Sequence, residues 1–222
     1  MPVLRADTMS GKQGTRPDWC ELTKYEIVSL TPGEPHVWET GEPANKVVVV
    51  EGSCRVGGGD GTERVVERGG TADLPAGRHE IGCDAAATVV TLEGHWGDDC
   101  GGAGLFAVTR SEDPSDIGDP VDYPKHTNFD RHYHDCDEYW IVVSGRGTAS
   151  SENVLYEVGP GDCVATRMGY HHDFPLVEEP VLAVFFETTM RGQKRRGHLW
   201  EHTHGPAIPA DRLDDVEKEA TS

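Results

Sequence analysis

Two histidines and one glutamate in the second half of the chain have the spacing of a metal site. His132, His134 and Glu138 stand at relative positions i, i+2 and i+6. Side chains of an extended strand alternate between its two faces, so equal parity predicts that these three share one face. Imidazole and carboxylate groups are common ligands of divalent metal ions. The spacing therefore predicts a metal centre, although strand histidines that only make hydrogen bonds would give the same pattern.

The segment that follows offers a fourth ligand. The apolar run Tyr139–Val143 is typical of a strand, and a second glycine-punctuated segment leads to His171 and His172. Spacing alone does not choose between these two histidines. It also leaves Cys136 open as a ligand, because Cys136 lies an even number of positions from His134.

The two segments resemble the paired motifs of the cupin superfamily. The first motif, G-x5-H-x-H-x3-E-x6-G, is matched by His132, His134, Glu138 and Gly145. The second, G-x5-P-x-G-x2-H-x3-N, is matched by Gly161, Gly169 and His172. The resemblance implies that His172 is the fourth ligand and that Cys136 is not one. Three residues depart from the pattern, where Gly, Pro and Asn are usual: His126, Arg167 and Leu176.

Three imidazoles and one carboxylate suit a divalent first-row ion and leave two adjacent octahedral positions open. Fe(II) is the first choice, and Mn(II), Zn(II), Ni(II) or Co(II) would fit the same donors. A substrate can chelate such an ion through hydroxyl, carbonyl or carboxylate oxygens. We therefore expect a metal-dependent enzyme for a small oxygenated metabolite, first an Fe(II)-type oxygenase. The alternatives are a Mn(II)- or Zn(II)-dependent sugar or keto-acid isomerase or epimerase, and a non-catalytic small-molecule-binding cupin, because the fold does not decide among them.

Residues close to the ligands in sequence are candidates for catalysis and substrate binding. Trp140 shares the parity of the ligands, which predicts either a wall of the substrate cavity or a core residue. Tyr170 and His171 border the fourth ligand and are candidates to donate a hydrogen bond or to move a proton. Glu187 ends an apolar run and is a candidate acid or base, unless it faces water. Arg167 replaces the motif proline and is a candidate substrate-binding residue.

The residues after position 190 carry two further features. The first is a local positive charge formed by Arg191, Lys194, Arg195 and Arg196. It suits an anionic substrate group, a solvated loop or a subunit contact. The second is His198–His204, where His202 and His204 lack a glutamate at the spacing of the first motif. This segment is predicted to be a lid, a loop or an interface rather than a second metal site.

An internal repeat predicts the architecture. Gly145 follows Gly52 by 93 positions, and Gly161 follows Gly69 by 92. Together with the resemblance, this predicts an all-β fold of two tandem jelly-roll cupin barrels, a bicupin. The first copy lacks a ligand set, since the equivalent positions hold Glu39, Gly41, Asn45 and Glu80. We expect an N-terminal arm at 1–19, a metal-free barrel at 20–110, a metal-binding barrel at 111–205 and an acidic tail at 206–222.

Composition narrows the function classes. The 222 residues include 27 glycines and 14 prolines and carry a net charge of −19, which argues for β structure and against a nucleic-acid partner. Apolar stretches are of strand length, short of the roughly 20 residues that span a bilayer. The polar start predicts no secretory signal and a cytoplasmic protein, in which the six cysteines are thiols. The expected partners are a small-molecule substrate and, since dimers are common among related folds, a second copy of the chain.

Overall fold

The protein was analysed as a computed structural model that describes residues 3–4, 16–57, 63–114 and 118–190. Every helical or extended element in these ranges is a β-strand or β-bridge, which confirms the all-β prediction. Nothing in the described ranges forms a helix of the length and apolar character that crossing a membrane requires. Three predicted features lie outside these ranges: the basic cluster at 191–196, the segment His198–His204 and the acidic tail at 206–222.

The strands, in chain order along the described residues, are β1 (Val3–Leu4), β2 (Leu22–Leu30), β3 (His36–Thr40), β4 (Ala44–Glu51), β5 (Ser53–Gly57), β6 (Glu63–Glu67), β7 (Thr71–Leu74), β8 (Gly77–Gly82), β9 (Ala87–Gly94), β10 (Cys100–Val108), β11 (Glu138–Ser151), β12 (Val154–Val158), β13 (Cys163–Thr166) and β14 (His172–Thr189). They divide between two compact units. The N-terminal unit comprises residues 21–97 and 103–105, and the C-terminal unit comprises the described parts of 1–20, 98–102 and 106–222. Strand β10 lies within the range expected for the first barrel, 20–110, and pairs with β14.

The N-terminal unit is built from two four-stranded antiparallel sheets, ordered β2-β9-β4-β7 and β3-β8-β5-β6. Valine-rich strands such as β4 favour this extended structure because β-branched side chains pack well on a pleated surface. Val47 and Val89 of the first sheet share one buried apolar cluster with Val56 and Ile81 of the second. The two sheets therefore pack face to face around a single core.

The C-terminal unit contains one sheet in the order β1-β13-β11-β14-β10, with β12 added to β11. Its two long strands, β11 and β14, pair from Glu138–Glu187 at one end to Ser151–His172 at the other. The register shifts several times along this pairing, and such bulges bend a strand and increase its twist. Gly145 lies among these bulges with a φ of 83°. The bends let the two strands curl rather than run flat.

Residues 118–137 dock onto the start of β14 through single bridges instead of a continuous ladder. His132 and His172 exchange two backbone hydrogen bonds, of 3.1 and 2.8 Å. His126 N–H donates to Pro175 O at 2.9 Å, and Val177 N–H donates to His126 Nε2 at 2.9 Å. The expectation that one strand carries all three motif ligands is wrong, because β11 begins only at Glu138 and the chain bends before it.

Replacing Gly145 by alanine should destabilise the C-terminal unit strongly. A Cβ at this position would lie 2.0 Å from the carbonyl oxygen of Pro180, in a backbone conformation that L-residues rarely adopt. Strain and overpacking together predict a loss of about 3 kcal/mol or more in the free energy of unfolding. Gly33→Ala is the control, because Gly33 has a φ of 80° but no atom within 4 Å of a Cβ there, which predicts a loss of only about 1 kcal/mol. Urea denaturation followed by fluorescence measures both, and equal losses would contradict the role given to the Pro180 contact.

Candidate metal centre

Four side chains converge inside the C-terminal unit. One donor atom from each lies within 4.8 Å of all the others, and all four side chains are buried: His132, His134, Glu138 and His172. His132 Nε2 is 3.1 Å from both His134 Nε2 and His172 Nε2. Glu138 Oε2 is 2.8 Å from His172 Nε2 and 3.3 Å from His134 Nε2. Among the described residues this is the one group of three or more such side chains that could hold a metal ion.

The convergence depends on the curl of β11 and β14. Glu138 pairs with Glu187, whereas His172 pairs with Ser151, which lies 13 positions further along β11. In a flat ladder at 3.3 Å per residue, Glu138 and His172 would be about 40 Å apart. Their side chains are nevertheless 2.8 Å apart. The bulged strands therefore bring together two residues from opposite ends of one pairing.

Two backbone carbonyls fix how the imidazoles are protonated. His132 Nδ1 lies 2.7 Å from Asp130 O, and His172 Nδ1 lies 3.0 Å from Tyr170 O. A carbonyl oxygen only accepts hydrogen bonds, so each Nδ1 carries the proton and donates it. In the neutral rings the two Nε2 atoms are then bare lone pairs, which face each other at 3.1 Å. Lone pairs this close repel unless a metal ion or an added proton lies between them, and Nδ1–H donation to a backbone carbonyl is the usual support of a metal-binding histidine.

The charge states of the cluster also fit a metal ion. Burial, followed by the neighbouring His172 and His134, holds the pKa of His132 well below its usual range. Burial acts to raise the pKa of Glu138, but its contacts with His172 and His134 outweigh burial and hold that pKa well below its usual range. Neutral imidazole and ionised carboxylate are the forms that bind metals. The cluster therefore supports the binding of a divalent metal ion.

A tight turn holds the third histidine in place. Tyr170 N–H donates to Arg167 O at 3.0 Å, and Gly169 occupies the third position of this turn with a φ of 79°. That conformation favours glycine at this place in a type II turn. Gly169 N–H in turn donates to His134 O at 2.7 Å. The glycine of the second motif thus ties the His134 backbone to the segment that carries His172.

Aromatic rings pack against two of the ligands. Trp140 is buried and meets the His172 ring at 5.3 Å, nearly perpendicular to it. Phe129 stacks on His132 with 6.0 Å between ring centroids, and it also meets Trp140 at 5.2 Å. Strand parity pointed to Trp140, whereas Phe129 lies at an unspecified position of the first motif and no spacing signal identified it.

Glu187 lies beside the cluster rather than facing water. Its side chain is buried, and Oε1 is 3.7 Å from His134 Nε2. It stands directly across the ladder from Glu138. A Cβ on Gly101 of β10 would lie 2.3 Å from Glu187 Oε2, so the absence of a side chain at Gly101 makes room for this carboxylate. No sequence pattern predicted the Gly101 contact, which joins strands far apart in the chain.

The remaining candidates make other contacts. His171 is buried but turns to Asp119, with 2.6 Å between Nε2 and Oδ2, and to the ring of Tyr133. Tyr170 contributes its carbonyl to His172, and its half-buried side chain packs against Met168. Arg167 is half-buried and closes the turn described above.

Cys136 is not one of the four donors. Burial first, then the carboxylates of Glu187 and Glu138, raise the pKa of its thiol well above the usual range. The six cysteines are free thiols, as the sequence predicted.

The N-terminal unit holds different chemistry at the equivalent positions. Asn45 and Glu93 face each other on β4 and β9 as Glu138 and Glu187 do on β11 and β14. Glu93 Oε1 accepts hydrogen bonds from Lys24 Nζ at 2.8 Å and from Trp38 Nε1 at 2.9 Å. Instead of facing a cluster of histidines, the Glu93 carboxylate accepts hydrogen bonds from a lysine and an indole.

Comparisons with known proteins agree with the fold and the motifs. A family model described as the cupin domain matches residues 121–186, which contain all four members of the cluster. The uncharacterized protein y4oW of Sinorhizobium fredii is 45% identical over 194 residues, which cover 86% of this chain and 89% of that protein.

Solved structures are similar to this chain in fold. A mutant of Bacillus subtilis oxalate decarboxylase is similar with a TM-score of 0.51 and 11% identity, over 86% of this chain and 75% of that one. The formate complex of Lactobacillus farciminis oxalate decarboxylase has a TM-score of 0.50 and 10% identity, over 85% and 82% of the two chains. At this level of identity the likeness concerns the fold alone.

Removing one imidazole should empty the centre without unfolding the protein. We expect wild-type protein to retain close to one divalent ion per chain after desalting, and His134→Ala to retain almost none, because three donors hold a metal ion far less tightly than four. The circular dichroism spectrum should stay that of the wild type, since the apolar core of the C-terminal unit is untouched. Glu80→Ala is the control, in the N-terminal position equivalent to His172. Elemental analysis checks the prediction, and an equal loss of metal in Glu80→Ala would contradict the assignment of the centre to the C-terminal unit.

Proposed function

The chain belongs to the cupin superfamily, and from that premise we propose that it is a metal-dependent enzyme acting on a small oxygenated metabolite. The observation that carries the proposal is the convergence of bare Nε2 atoms. Two imidazoles have their tautomers fixed by backbone carbonyls and direct lone pairs at each other across 3.1 Å, with a carboxylate 2.8 Å from one of them. Such an arrangement is unfavourable unless a metal ion or an added proton joins the donors, and a divalent ion can be bound by all four side chains at once.

Fe(II) is our first choice of metal, and an oxygenase our first choice of reaction. When bound, the ion would supply two adjacent coordination positions, where a redox-active metal activates dioxygen beside the substrate and a redox-inert one polarises a carbonyl. Three nitrogen donors and one oxygen donor fit Fe(II) well, and they also accept Mn(II), Zn(II), Ni(II) or Co(II). The donor set therefore supports a centre for a divalent first-row metal ion, and measuring the bound metal decides which of these ions it holds.

The chain's own residues have separate roles in this proposal. Trp140 and Phe129 cover two ligands with aromatic surface, which keeps water from that side of the centre. Glu187 Oε1 lies 3.7 Å from His134 Nε2, beside the donors that would hold the ion, and is the proposed acid or base. Tyr170 and His171 are assigned supporting roles, because their resolved contacts lead away from the donor atoms. For Arg167 we retain a role in substrate binding as a proposal only.

The position of Glu187 also favours a second candidate. Isomerases and epimerases need a proton acceptor beside a polarised carbonyl, and a buried carboxylate across the ladder from a ligand fits that need. A Mn(II)- or Zn(II)-dependent isomerase or epimerase is therefore the alternative reaction. A non-catalytic small-molecule-binding cupin is the remaining outcome of the experiment below.

We further propose that the N-terminal unit is a second cupin-like barrel that has lost its metal site. The support is the repeated cross-strand pair, Asn45 with Glu93 in one unit and Glu138 with Glu187 in the other. An asparagine stands where the carboxylate ligand would be, and its side chain bonds to Thr40 and to Glu42 O. This unit then contributes structure rather than chemistry.

The experiment that tests the proposal is a comparison of metal-loaded forms. Protein purified without an affinity tag is analysed for its metal, stripped, and reloaded anaerobically with Fe(II), Mn(II) or Zn(II). Substrate-dependent oxygen uptake by the Fe(II) form supports the oxygenase. Incorporation of deuterium from heavy water into the substrate or product, without oxygen uptake, supports the isomerase. Saturable binding with no chemical change supports the binding protein, and absence of metal from every form overturns the proposal.

Glu187→Gln should reduce turnover and leave the metal in place. The amide keeps the shape that packs against Gly101 but cannot accept or deliver the proton as a carboxyl group does. Loss of a general acid or base predicts a fall in kcat of about 10² to 10⁴ fold. Glu179→Gln, on the same strand at an exposed position, is the matched control. Steady-state kinetics beside elemental analysis check the prediction, and unchanged kcat in Glu187→Gln would remove Glu187 from the mechanism.

A further inference from the structure

Arg131 and His171, which each precede a ligand in the sequence, are linked by two separate sets of hydrogen bonds. Arg131 precedes His132, and His171 precedes His172. Asp119 joins them on one side, because its N–H donates to Arg131 O at 2.9 Å and its Oδ2 accepts from His171 Nε2 at 2.6 Å. His132 and His172 themselves exchange two backbone hydrogen bonds between these neighbours.

A strained turn closes the second side. Arg131 Nη2 donates to Asn153 Oδ1 at 3.1 Å. His171 N–H donates to Glu152 Oε1 at 2.5 Å, and Glu152 N–H donates to His171 O at 2.9 Å. Glu152 and Asn153 link β11 to β12 as a two-residue turn. Both flanking residues of the ligands are therefore held by the same hairpin turn as well as by Asp119.

The backbone of this turn adopts an energetically unfavourable conformation, and its hydrogen bonds account for how that conformation is held. Glu152 has a φ of 50° and Asn153 a φ of 62°, the left-handed conformation in which glycine and asparagine are favoured and glutamate is not. A glutamate in such a turn lowers the conformational stability of the fold, and a specific partner for its side chain offsets that loss. Here that partner is the backbone of His171, next to a ligand. Left-handed residues other than glycine are concentrated where a fold positions functional groups.

We propose that these five residues act as a brace that positions His132 and His172 and so sets the affinity of the centre for its metal ion: Asp119, Arg131, Glu152, Asn153 and His171. The inference rests on the metal-binding function proposed above. The brace touches neither donor atom. It fixes the two backbone segments from which the imidazoles project, and its buried members, Asp119, Arg131 and His171, transmit that constraint. Residues of this kind around other metal sites change metal affinity by 10 to 100 fold when they are replaced.

Asn153→Gly separates positioning from stability. Asn153 is exposed, and glycine adopts its left-handed conformation without strain, so the metal-free variant should melt close to the wild-type temperature. The variant lacks the Oδ1 acceptor of Arg131 Nη2 and keeps only the bond from Nη1 to Pro120 O, so its affinity for Co(II) should fall by about tenfold. Competition with a fluorescent chelator measures the affinity, and the visible absorption of the Co(II) form, which reports coordination geometry, should shift.

Arg131→Met removes the whole guanidinium and should weaken Co(II) binding further, by about 10 to 100 fold. Arg146→Met is the matched control, because Arg146 is exposed on β11 of the same unit and the change in charge is identical. If Arg131→Met does not fold, Asn153→Gly alone decides. Wild-type affinity and an unchanged Co(II) spectrum in Asn153→Gly would overturn the brace, and so would a parallel loss of melting temperature and affinity. Failure of the wild type to bind Co(II) would instead overturn the proposed function.

Discussion

The C-terminal unit is organised around one electrostatic constraint, the close approach of electron-donating atoms in a buried place. Nε2 atoms at 3.1 Å and a carboxylate oxygen at 2.8 Å would repel or demand shared protons if no cation joined them. The backbone carbonyls of Asp130 and Tyr170 accept from each Nδ1–H, so that a metal ion or any further proton has to bind at the inner nitrogen. The curled strands, the turn at Gly169 and the docked segment before β11 all serve to maintain this arrangement.

Under the proposal that the N-terminal unit is a cupin-like barrel without its metal site, the two units show how little has to change for such a site to be lost. Both present a cross-strand pair at the same place in their ladders, Asn45 with Glu93 and Glu138 with Glu187. In the N-terminal unit Lys24 and Trp38 occupy Glu93, so the positive charge comes from the protein itself. The C-terminal unit places imidazoles beside its glutamates instead. A cross-strand pair of this kind thus accompanies either an internal ion pair or a site for an external cation.

The sequence predicted the ligands better than it predicted the elements that carry them. The motif resemblance selected His172 over His171, and the structure brings His172 into the cluster while His171 turns to Asp119. Strand parity predicted that one strand carries all three ligands of the first motif, but His132 and His134 lie on a bent segment before β11. Their convergence depends on bulges that bring opposite ends of one strand pair together, and no local pattern encodes that distance. Glu187 and Phe129 join the site for the same reason, through contacts between strands far apart in the chain.

A preformed cluster of this kind costs stability in the metal-free protein, and the rest of the unit offsets that cost. The repulsion among the donors is borne by an apolar core that includes Trp140, Val142 and Phe174, so the fold does not need the ion as a small zinc domain does. Rigid support has a second consequence. Donors that cannot spread apart bind an ion without first being ordered, which raises affinity, and they resist a change of coordination geometry, which limits the ions they accept. The strain at Glu152 is then consistent with a fold that gives up a little conformational stability to keep its donors together.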